Sequence, residues 1–340
     1  MSQFANPPID HTAPMVTPGK GCAAWFVRDG RLRSGWRVTV YTIIARLGDL
    51  VGSIWLGILI GLALAAVLVL QGVPPEELGR RIAGYFLNLS DHPWILFLFQ
   101  VERLAIVLAL VWLFRRFVDK RSFLSLGFSL SPGWWRQALA GFGYSMAGWA
   151  AIFVLSLTLG AATITGFGWA SGNWTAVAGG LLYGLLLNIA VGVAEETDAR
   201  GYVLQNLAEG IHFWPAVLVS SLYFGILHLL NPGAGVTSTL GIFFAGVLLA
   251  LGYYATGRLW FSIGMHAAWN FAEGPIFGFL VSGLNMGGLF RLQITGPDWL
   301  MGGAFGPEAG VLAVAVEVVM ILVLFGWARA KHVGIYPSPS

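Results

Sequence analysis

Residues 51–70 read VGSIWLGILIGLALAAVLVL and contain no charged side chain. Because the hydrocarbon core of a bilayer is about 30 Å thick and an α-helix rises about 1.5 Å per residue, an apolar run of this length is typical of a membrane-spanning helix. The whole chain has the same character, since 57% of its 340 residues are hydrophobic and only 10% are charged. Soluble domains carry about 25% charged residues, so the composition predicts an all-α, polytopic membrane helix bundle.

Further apolar segments bring the predicted number of transmembrane helices to about eight. They occupy residues 94–114, 138–160, 176–207, 213–230, 240–256, 259–280 and 310–328. With a cytoplasmic N-terminus, 15 of the 19 Lys and Arg residues fall inside and only Arg80, Arg81 and Arg291 fall outside. The positive-inside rule therefore predicts that both termini are cytoplasmic. Arg outnumbers Lys 16 to 3, which is typical of a GC-rich bacterial gene, so we expect a bacterial cell membrane.

The cysteine count and the placement of charge exclude several classes of protein. The single Cys22 cannot form an internal disulfide, and the sequence has no CxxC spacing for a thiolate zinc site. The net charge of +3 comes from basic residues at the ends of apolar segments, where anionic lipid attracts them. We therefore expect the lipid bilayer as a partner and no binding to nucleic acid.

A dense group of ionisable residues interrupts the fourth apolar segment. Residues 188–202 read NIAVGVAEETDARGY and place three acids and one base within six positions. A lone charge at the bilayer centre costs about 2.5–3.5 kcal/mol even on the lenient insertion scale. These side chains must therefore face water or one another, and they mark a candidate functional site.

Helical geometry assigns these charges to different faces. Glu196 and Arg200 are one turn apart and can form an ion pair, whereas Glu195 points about 100° away from that pair. Glu195 is therefore available for chemistry. Asp198 lies three residues after Glu195, so their two carboxylates share a face, which disfavours ionisation of one of them.

Two later segments carry histidines that can reach the same depth. His228 ends the run FGILH, and His266 is followed one turn later by Asn270, so the imidazole and the amide point the same way. Glu195 and His228 are equally far in sequence from the turn expected near residues 209–215, which places them side by side in an antiparallel hairpin. His266 lies closer to the cytoplasmic end of its segment, so its presence in one site with them requires a tilted or protruding hairpin.

Together these three motifs resemble the signature of the CAAX prenyl endopeptidase and bacteriocin-processing (CPBP) family, also called the abortive-infection (ABI) family of intramembrane proteases. The resemblance covers about residues 179–273 and includes the Arg200-Gly201-Tyr202 run. It implies hydrolysis of a peptide bond near the cytoplasmic side, in a peptide or protein substrate that could be membrane-anchored. Its implied catalytic residues are Glu195, Glu196, Arg200, His228, His266 and Asn270.

The resemblance also implies a role for each of these residues. Glu195 would activate a water with the help of His228, and Glu196 with Arg200 would hold the geometry of the site. His266 and Asn270 would stabilise the oxyanion, an effect worth a few kcal/mol in enzymes generally. The family is often described as metalloproteases, so a divalent metal such as zinc, held by Glu195, His228 and His266, is one alternative. The sequence lacks HExxH, and a metal-free glutamate mechanism is the other.

We expect four regions along the chain. Residues 1–50 form a cytoplasmic N-terminal segment with an interfacial helix, and residues 51–175 form the N-terminal transmembrane helices. Residues 176–280 form the protease core, and residues 281–340 contain a loop, the last transmembrane helix and a cytoplasmic tail. Glu102 and Arg103, inside the second apolar segment, are interpreted as a buried pair or a protonated acid rather than as part of the site.

One departure from the family pattern keeps other functions open. The three positions between Glu196 and Arg200 are usually apolar in the family, and here they include Asp198. Asp198 could raise the proton affinity of Glu195, join a metal site, or mark a catalytically silent immunity or scaffold protein. A second alternative is a proton- or ion-coupled transporter that uses the acids and histidines as a relay.

Overall fold

A computed structural model describes residues 23–28, 30–87 and 92–331 of the chain. Predictions about residues 1–22, including Cys22, and about the tail beyond Lys331 lie outside the described residues. The described chain begins with the short helix α1 (Ala23–Phe26) and a two-stranded hairpin of β1 (Val27–Arg28) and β2 (Arg31–Leu32). The next helix, α2 (Ser34–Leu70), continues without a break through the apolar run at 51–70.

Helices make up most of the remaining structure. They are α3 (Pro75–Leu87), α4 (Pro93–Leu113), α5 (Trp134–Thr158), α6 (Trp174–Glu196), α7 (Leu204–Ile211), α8 (Phe213–Leu227), α9 (Val236–Thr256), α10 (Leu259–Phe271), α11 (Asp298–Met301) and α12 (Val311–Ala330). Three of them continue into π-helical turns, at Phe114–Val118, Thr197–Val203 and Ala272–Ile276. Short 3-10 turns occupy Phe123–Leu126, Gly168–Ser171, His228–Leu230, Gly303–Phe305 and Pro307–Ala309.

The four strands that follow the β1–β2 hairpin are short and lie in two connections between helices. β3 (Ala162–Phe167) pairs antiparallel with β6 (Phe290–Ile294), and their register shifts between Ile164 and Gly166. β4 (Leu280–Val281) pairs with β5 (Leu284–Asn285) in a small hairpin. The two pairs belong to the connections after α5 and after α10, which lie at the outer face in the predicted orientation.

Within the described residues, seven helices are long and apolar enough to cross a membrane. They span Ser34–Leu70, Pro93–Val118, Trp134–Thr158, Trp174–Ile211, Phe213–Leu230, Val236–Thr256 and Val311–Ala330. The predicted all-α membrane bundle is confirmed, and the protein is an integral membrane protein. The predicted segment at 259–280 differs from the others: it is the shorter helix α10, which passes through a π-helical turn to Ile276.

Helix α10 has 13 residues, fewer than the other spans, and it lies inside the bundle. Every side chain from Ser262 to Trp269 is buried, and α10 packs against α5, α6 and α9. A helix that neighbouring helices shield from lipid does not need an apolar surface all round. The polar residues His266 and Asn270 on this helix therefore face protein.

Glycines let the backbone of α10 approach its neighbours closely. A Cβ atom at Gly264 would overlap the carbonyl group of Ala138 on α5, and one at Gly141 on α5 would overlap the carbonyl group of Phe261. Small residues allow membrane helices to pack at this range. The close contact places His266, two residues beyond Gly264, deep in the bundle.

A polar network joins α2 to the end of the bundle where α7 lies. Asp119 accepts from Arg37 at 3.1 Å and from Arg115 at 3.0 Å, and Arg37 also binds Glu209 at 2.7 Å. Arg121 forms a second ion pair with Glu209. Arg37, Arg115 and Asp119 are buried, so this network fixes the start of α2 to the segment after α4 and to α7.

Candidate active site

A cavity of about 180 Å³ lies among α4, α6, α8, α9 and α10, and the β4–β5 hairpin borders it at one end. Its polar lining includes predicted site residues from three separate elements. These are Glu195, His228, His266 and Asn270. Glu195 lies 16 residues before the end of α7, which corresponds to about 24 Å along a helix. In the predicted orientation, this distance separates Glu195 from the cytoplasmic end of the hairpin that carries it.

Glu196 and Arg200 form the ion pair that their spacing predicts. Arg200 Nη1 lies 2.8 Å from Glu196 Oε1 although the chain passes into a π-helical turn at Thr197. Arg200 Nη2 donates to the carbonyl of Gly246 on α9 at 3.0 Å, and the guanidinium lies 4.2 Å from the centre of the Phe224 ring on α8. Both charged side chains are buried, so the pair joins α6 to α8 and α9 behind the cavity.

The same carboxylate orients His266. Nδ1 of His266 lies 2.8 Å from Glu196 Oε1. An ionised carboxylate only accepts hydrogen bonds, so the proton of this bond belongs to Nδ1. The other ring nitrogen, Nε2, then faces the cavity and lies 3.7 Å from Oε2 of Glu195.

His228 presents its ring in the same way from the opposite helix. Its Nδ1 lies 2.8 Å from the backbone carbonyl of Phe224, which again assigns the proton to Nδ1. Its Nε2 lies 3.9 Å from Oε2 of Glu195. Two imidazoles therefore face one carboxylate oxygen at distances longer than a hydrogen bond, and that oxygen has no hydrogen-bond partner among the described residues.

Arg103 on α4 binds the other oxygen of Glu195. Arg103 Nη1 lies 3.0 Å from Oε1, and Arg103 also lines the cavity. Glu195 is separate from the Glu196–Arg200 pair, as its position on the helix predicts, but it has an ion-pair partner. Sequence reasoning missed Arg103 because it grouped Arg103 with the adjacent Glu102. Neighbouring residues point about 100° apart on a helix, and Glu102 instead approaches Ser53 at 3.4 Å.

Asp198 is also fully bonded in the structure. Its Oδ1 accepts from the hydroxyl of Tyr41 at 2.6 Å, and its Oδ2 accepts from Arg46 and from the hydroxyl of Tyr223, each at 3.1 Å. The three acids of the motif thus have three different arginine partners. The pairs are Glu195 with Arg103, Glu196 with Arg200, and Asp198 with Arg46. Their mutual neutralisation explains how the fold tolerates three buried carboxylates.

Amide side chains form a further part of the polar lining of the cavity. Asn270 lines it one helical turn from His266, as predicted. Gln100, Asn188 and Asn231 line it as well, and sequence reasoning did not select them. A glutamine or asparagine inside an apolar segment was the available signal, because lipid-facing positions disfavour such groups. The remaining wall is largely apolar and also includes Asp198, Glu308, Ser145 and Ser282.

The metal that the resemblance implies has no support in the part of the chain that the structure describes. No group of three or more His, Cys, Asp and Glu side chains in residues 23–28, 30–87 and 92–331 has the spacing of a metal site. One oxygen of Glu195, the expected carboxylate ligand, is bound by the cationic Arg103.

A comparison with protein families agrees with the motifs. Residues 177–272 match the family model described as Rce1-like, type II CAAX prenyl endopeptidase. This range contains all six predicted site residues, and the resemblance is confirmed over it. No curated protein and no solved structure matches the chain. At the level of the family, the match and the membrane helices support an intramembrane protease of the CAAX type.

Proposed function

We propose that the protein is an intramembrane endopeptidase that hydrolyses a peptide bond with a water activated by Glu195. The observation that carries this proposal is the meeting of one unbonded carboxylate oxygen with two imidazole nitrogens inside a cavity. Glu195 Oε2 lies 3.7 Å from His266 Nε2 and 3.9 Å from His228 Nε2. Gaps of this size suit a water that bridges polar groups.

In the first step of the proposed reaction, the water donates a proton to Glu195 and its oxygen attacks the carbonyl carbon of the substrate. His228 accepts the second hydrogen bond of that water through Nε2 and so orients it. General-base catalysis of this kind contributes about 10²–10⁴-fold to a rate. Arg103 remains beside Glu195 while the negative charge moves from the carboxylate to the substrate oxygen.

In the second step, donors stabilise the tetrahedral oxyanion and the peptide bond breaks. The amide of Asn270 and a protonated His266, whose charge the Glu196 carboxylate stabilises, would donate to the oxyanion. Glu195 then returns its proton to the leaving nitrogen as the carbon–nitrogen bond breaks. One water is consumed, and a carboxyl group and an amine are formed.

The location of the cavity favours a membrane-anchored substrate. It lies between membrane helices, and aliphatic side chains of α9, including Ile242, Leu248 and Leu249, form one wall. Such a wall fits an apolar side chain next to the bond that is cut. The matching family is described as CAAX prenyl endopeptidases, which makes a farnesylated CAAX peptide the first probe.

The experiment that tests this proposal compares the protein termini of membranes from cells with the intact protein and from cells with Glu195→Gln. New termini that depend on the intact protein, and that also disappear in His228→Ala, support it. Glu76→Gln, on the exposed face of α3, is the matched control and should leave the termini unchanged. Termini that are identical in the intact and Glu195→Gln cells would remove the proposal.

The same variants separate the alternatives. Purified protein in liposomes that moves protons or ions without cutting the farnesylated peptide supports a transporter. A biological effect that survives Glu195→Gln supports a silent binding protein. Both outcomes contradict the proposed peptidase.

A further inference from the structure

Asp198 has no part in the proposed reaction, yet it is buried beside the residues that do. It lies three residues after Glu195, at the start of the π-helical turn Thr197–Val203, and is 3% exposed. Tyr41 binds its Oδ1, and Arg46 and Tyr223 bind its Oδ2. Asp198 is among the residues that line the cavity, but both of its oxygens are used by this chain's own donors, which argues for a supporting role rather than for contact with substrate.

The bond from Tyr223 connects the two elements that carry Glu195 and His228. Asp198 and Glu195 belong to the α6 segment, whereas Tyr223 and His228 belong to α8 and its terminal turn. The 3.1 Å contact between Asp198 Oδ2 and the Tyr223 hydroxyl thus fixes the separation of these elements near the 3.9 Å gap between Glu195 and His228.

Tyr41 and Arg46 connect a third element, helix α2, to Asp198. Arg46 neutralises Asp198, and the ring of Tyr41 lies 4.2 Å from that of Tyr202 in the π-helical turn. Tyr41 is fully buried. Helix α2 therefore holds the turn that follows Glu195 and Glu196 although it contributes no residue to the cavity lining.

We propose that Asp198 is a positioning residue that sets the distance between Glu195 and His228 by binding Tyr223 on α8 and Tyr41 and Arg46 on α2. This role rests on the proposed function. It predicts that losing the bonds to Asp198 slows the chemical step without weakening substrate binding, because Asp198 acts through Glu195. A misplacement of about 1 Å can cost about 100-fold in rate.

The first test uses two tyrosine variants that each lose one hydroxyl. Tyr223→Phe removes the bond to Asp198, and Tyr183→Phe removes a bond from α6 to the carbonyl of Pro93, away from the cavity. The readout is cleavage of the farnesylated CAAX peptide, or of a quenched peptide built on the site that the termini comparison identifies. We expect Tyr223→Phe to lower kcat about tenfold with KM within about twofold. Tyr183→Phe should change neither.

The second test separates positioning from charge balance. Asp198→Asn leaves Arg46 without a buried partner, so it should lower both the thermal midpoint and kcat. Combining Asp198→Asn with Arg46→Gln removes both charges of this pair, so no unpaired charge remains. We expect the thermal midpoint of the double variant to return toward the original value. Its kcat should stay about tenfold low, because the carboxylate that binds both tyrosines is still missing.

Several outcomes would overturn this role. A kcat that recovers together with the thermal midpoint in the double variant would make Asp198 a structural residue only. An unchanged kcat in Tyr223→Phe contradicts the role directly and remains measurable if Asp198→Asn does not fold. In both cases the intact protein still cuts and Glu195→Gln does not, so the proposed function stands. Absence of cleavage by the intact protein would instead contradict both proposals.

Discussion

His266 and Glu196 are joined by a 2.8 Å contact between Nδ1 and Oε1, and the same oxygen lies 2.8 Å from Arg200 Nη1. One carboxylate oxygen thus connects the imidazole that faces the cavity to the guanidinium that braces three helices. A carboxylate that binds one ring nitrogen of a histidine fixes the tautomer and the orientation of the ring. The chemistry at Glu195 and the packing of α6, α8 and α9 therefore depend on one side chain.

Glu196→Gln should damage stability as well as activity. Glutamine has the same shape and could still accept from His266, but Arg200 would lose its buried negative partner. Breaking a buried pair in this way costs about 3–5 kcal/mol. We expect a clear fall in the thermal midpoint of the detergent-purified protein. The exposed Glu76→Gln should leave the midpoint unchanged. An equally small effect of Glu196→Gln would contradict a stabilising role for the Glu196–Arg200 ion pair.

Arg103 should be needed for cleavage although it lies outside the family motifs. Arg103→Met removes the cation beside Glu195 and frees the carboxylate to rotate away from His228 and His266. We expect a loss of activity of about 10²-fold, the scale of a misplaced catalytic group, and a smaller loss in Arg103→Lys, which keeps the charge. Arg291→Met, on the exposed strand β6, is the control. The measurement is kcat/KM for the quenched peptide at equal folded protein.

The contact between α5 and α10 can be tested with two glycines on α5. Gly141→Ala would place a methyl group against the Phe261 carbonyl, whereas Gly143 faces open space. Overpacking costs about 1–3 kcal/mol, so Gly141→Ala should lower the thermal midpoint. Gly143→Ala should leave it equal or slightly higher, because alanine favours helix formation. Equal midpoints for the two variants would mean that the helices are not in close contact.

The predicted orientation can be tested by cysteine labelling in intact cells. Ser171 lies in the connection after β3, and Ser129 lies in the connection between α4 and α5, and both are exposed. In a background without Cys22, a membrane-impermeant maleimide should label Ser171→Cys and not Ser129→Cys. The opposite pattern would invert the topology, and opening the cells should make both positions reactive.

The sequence predicted the fold class more completely than it predicted the contacts within the site. Apolar length alone identified the spans exposed to lipid, but it gave no reason to expect that α10 is shielded from lipid. The pairing of Glu196 with Arg200 followed from helical spacing because it is local. Arg103, Arg46 and Tyr223 are far from the motif in sequence, and their contacts depend on how separate helices pack. Helical spacing says nothing about such contacts, so the ion-pair partner of Glu195 and the role of Asp198 were not foreseen.

The one-to-one matching of three acids with three arginines has an evolutionary consequence. A substitution that removes the charge at any one of these six positions leaves its partner without a counter-charge inside the helix bundle, where water solvates it poorly. We therefore expect each acid and its arginine to be substituted together during evolution. Descendants of this gene that carry an apolar residue at 198 should also have lost the arginine at 46. Those that keep the glutamate at 195 should retain a cation on the helix that now supplies Arg103.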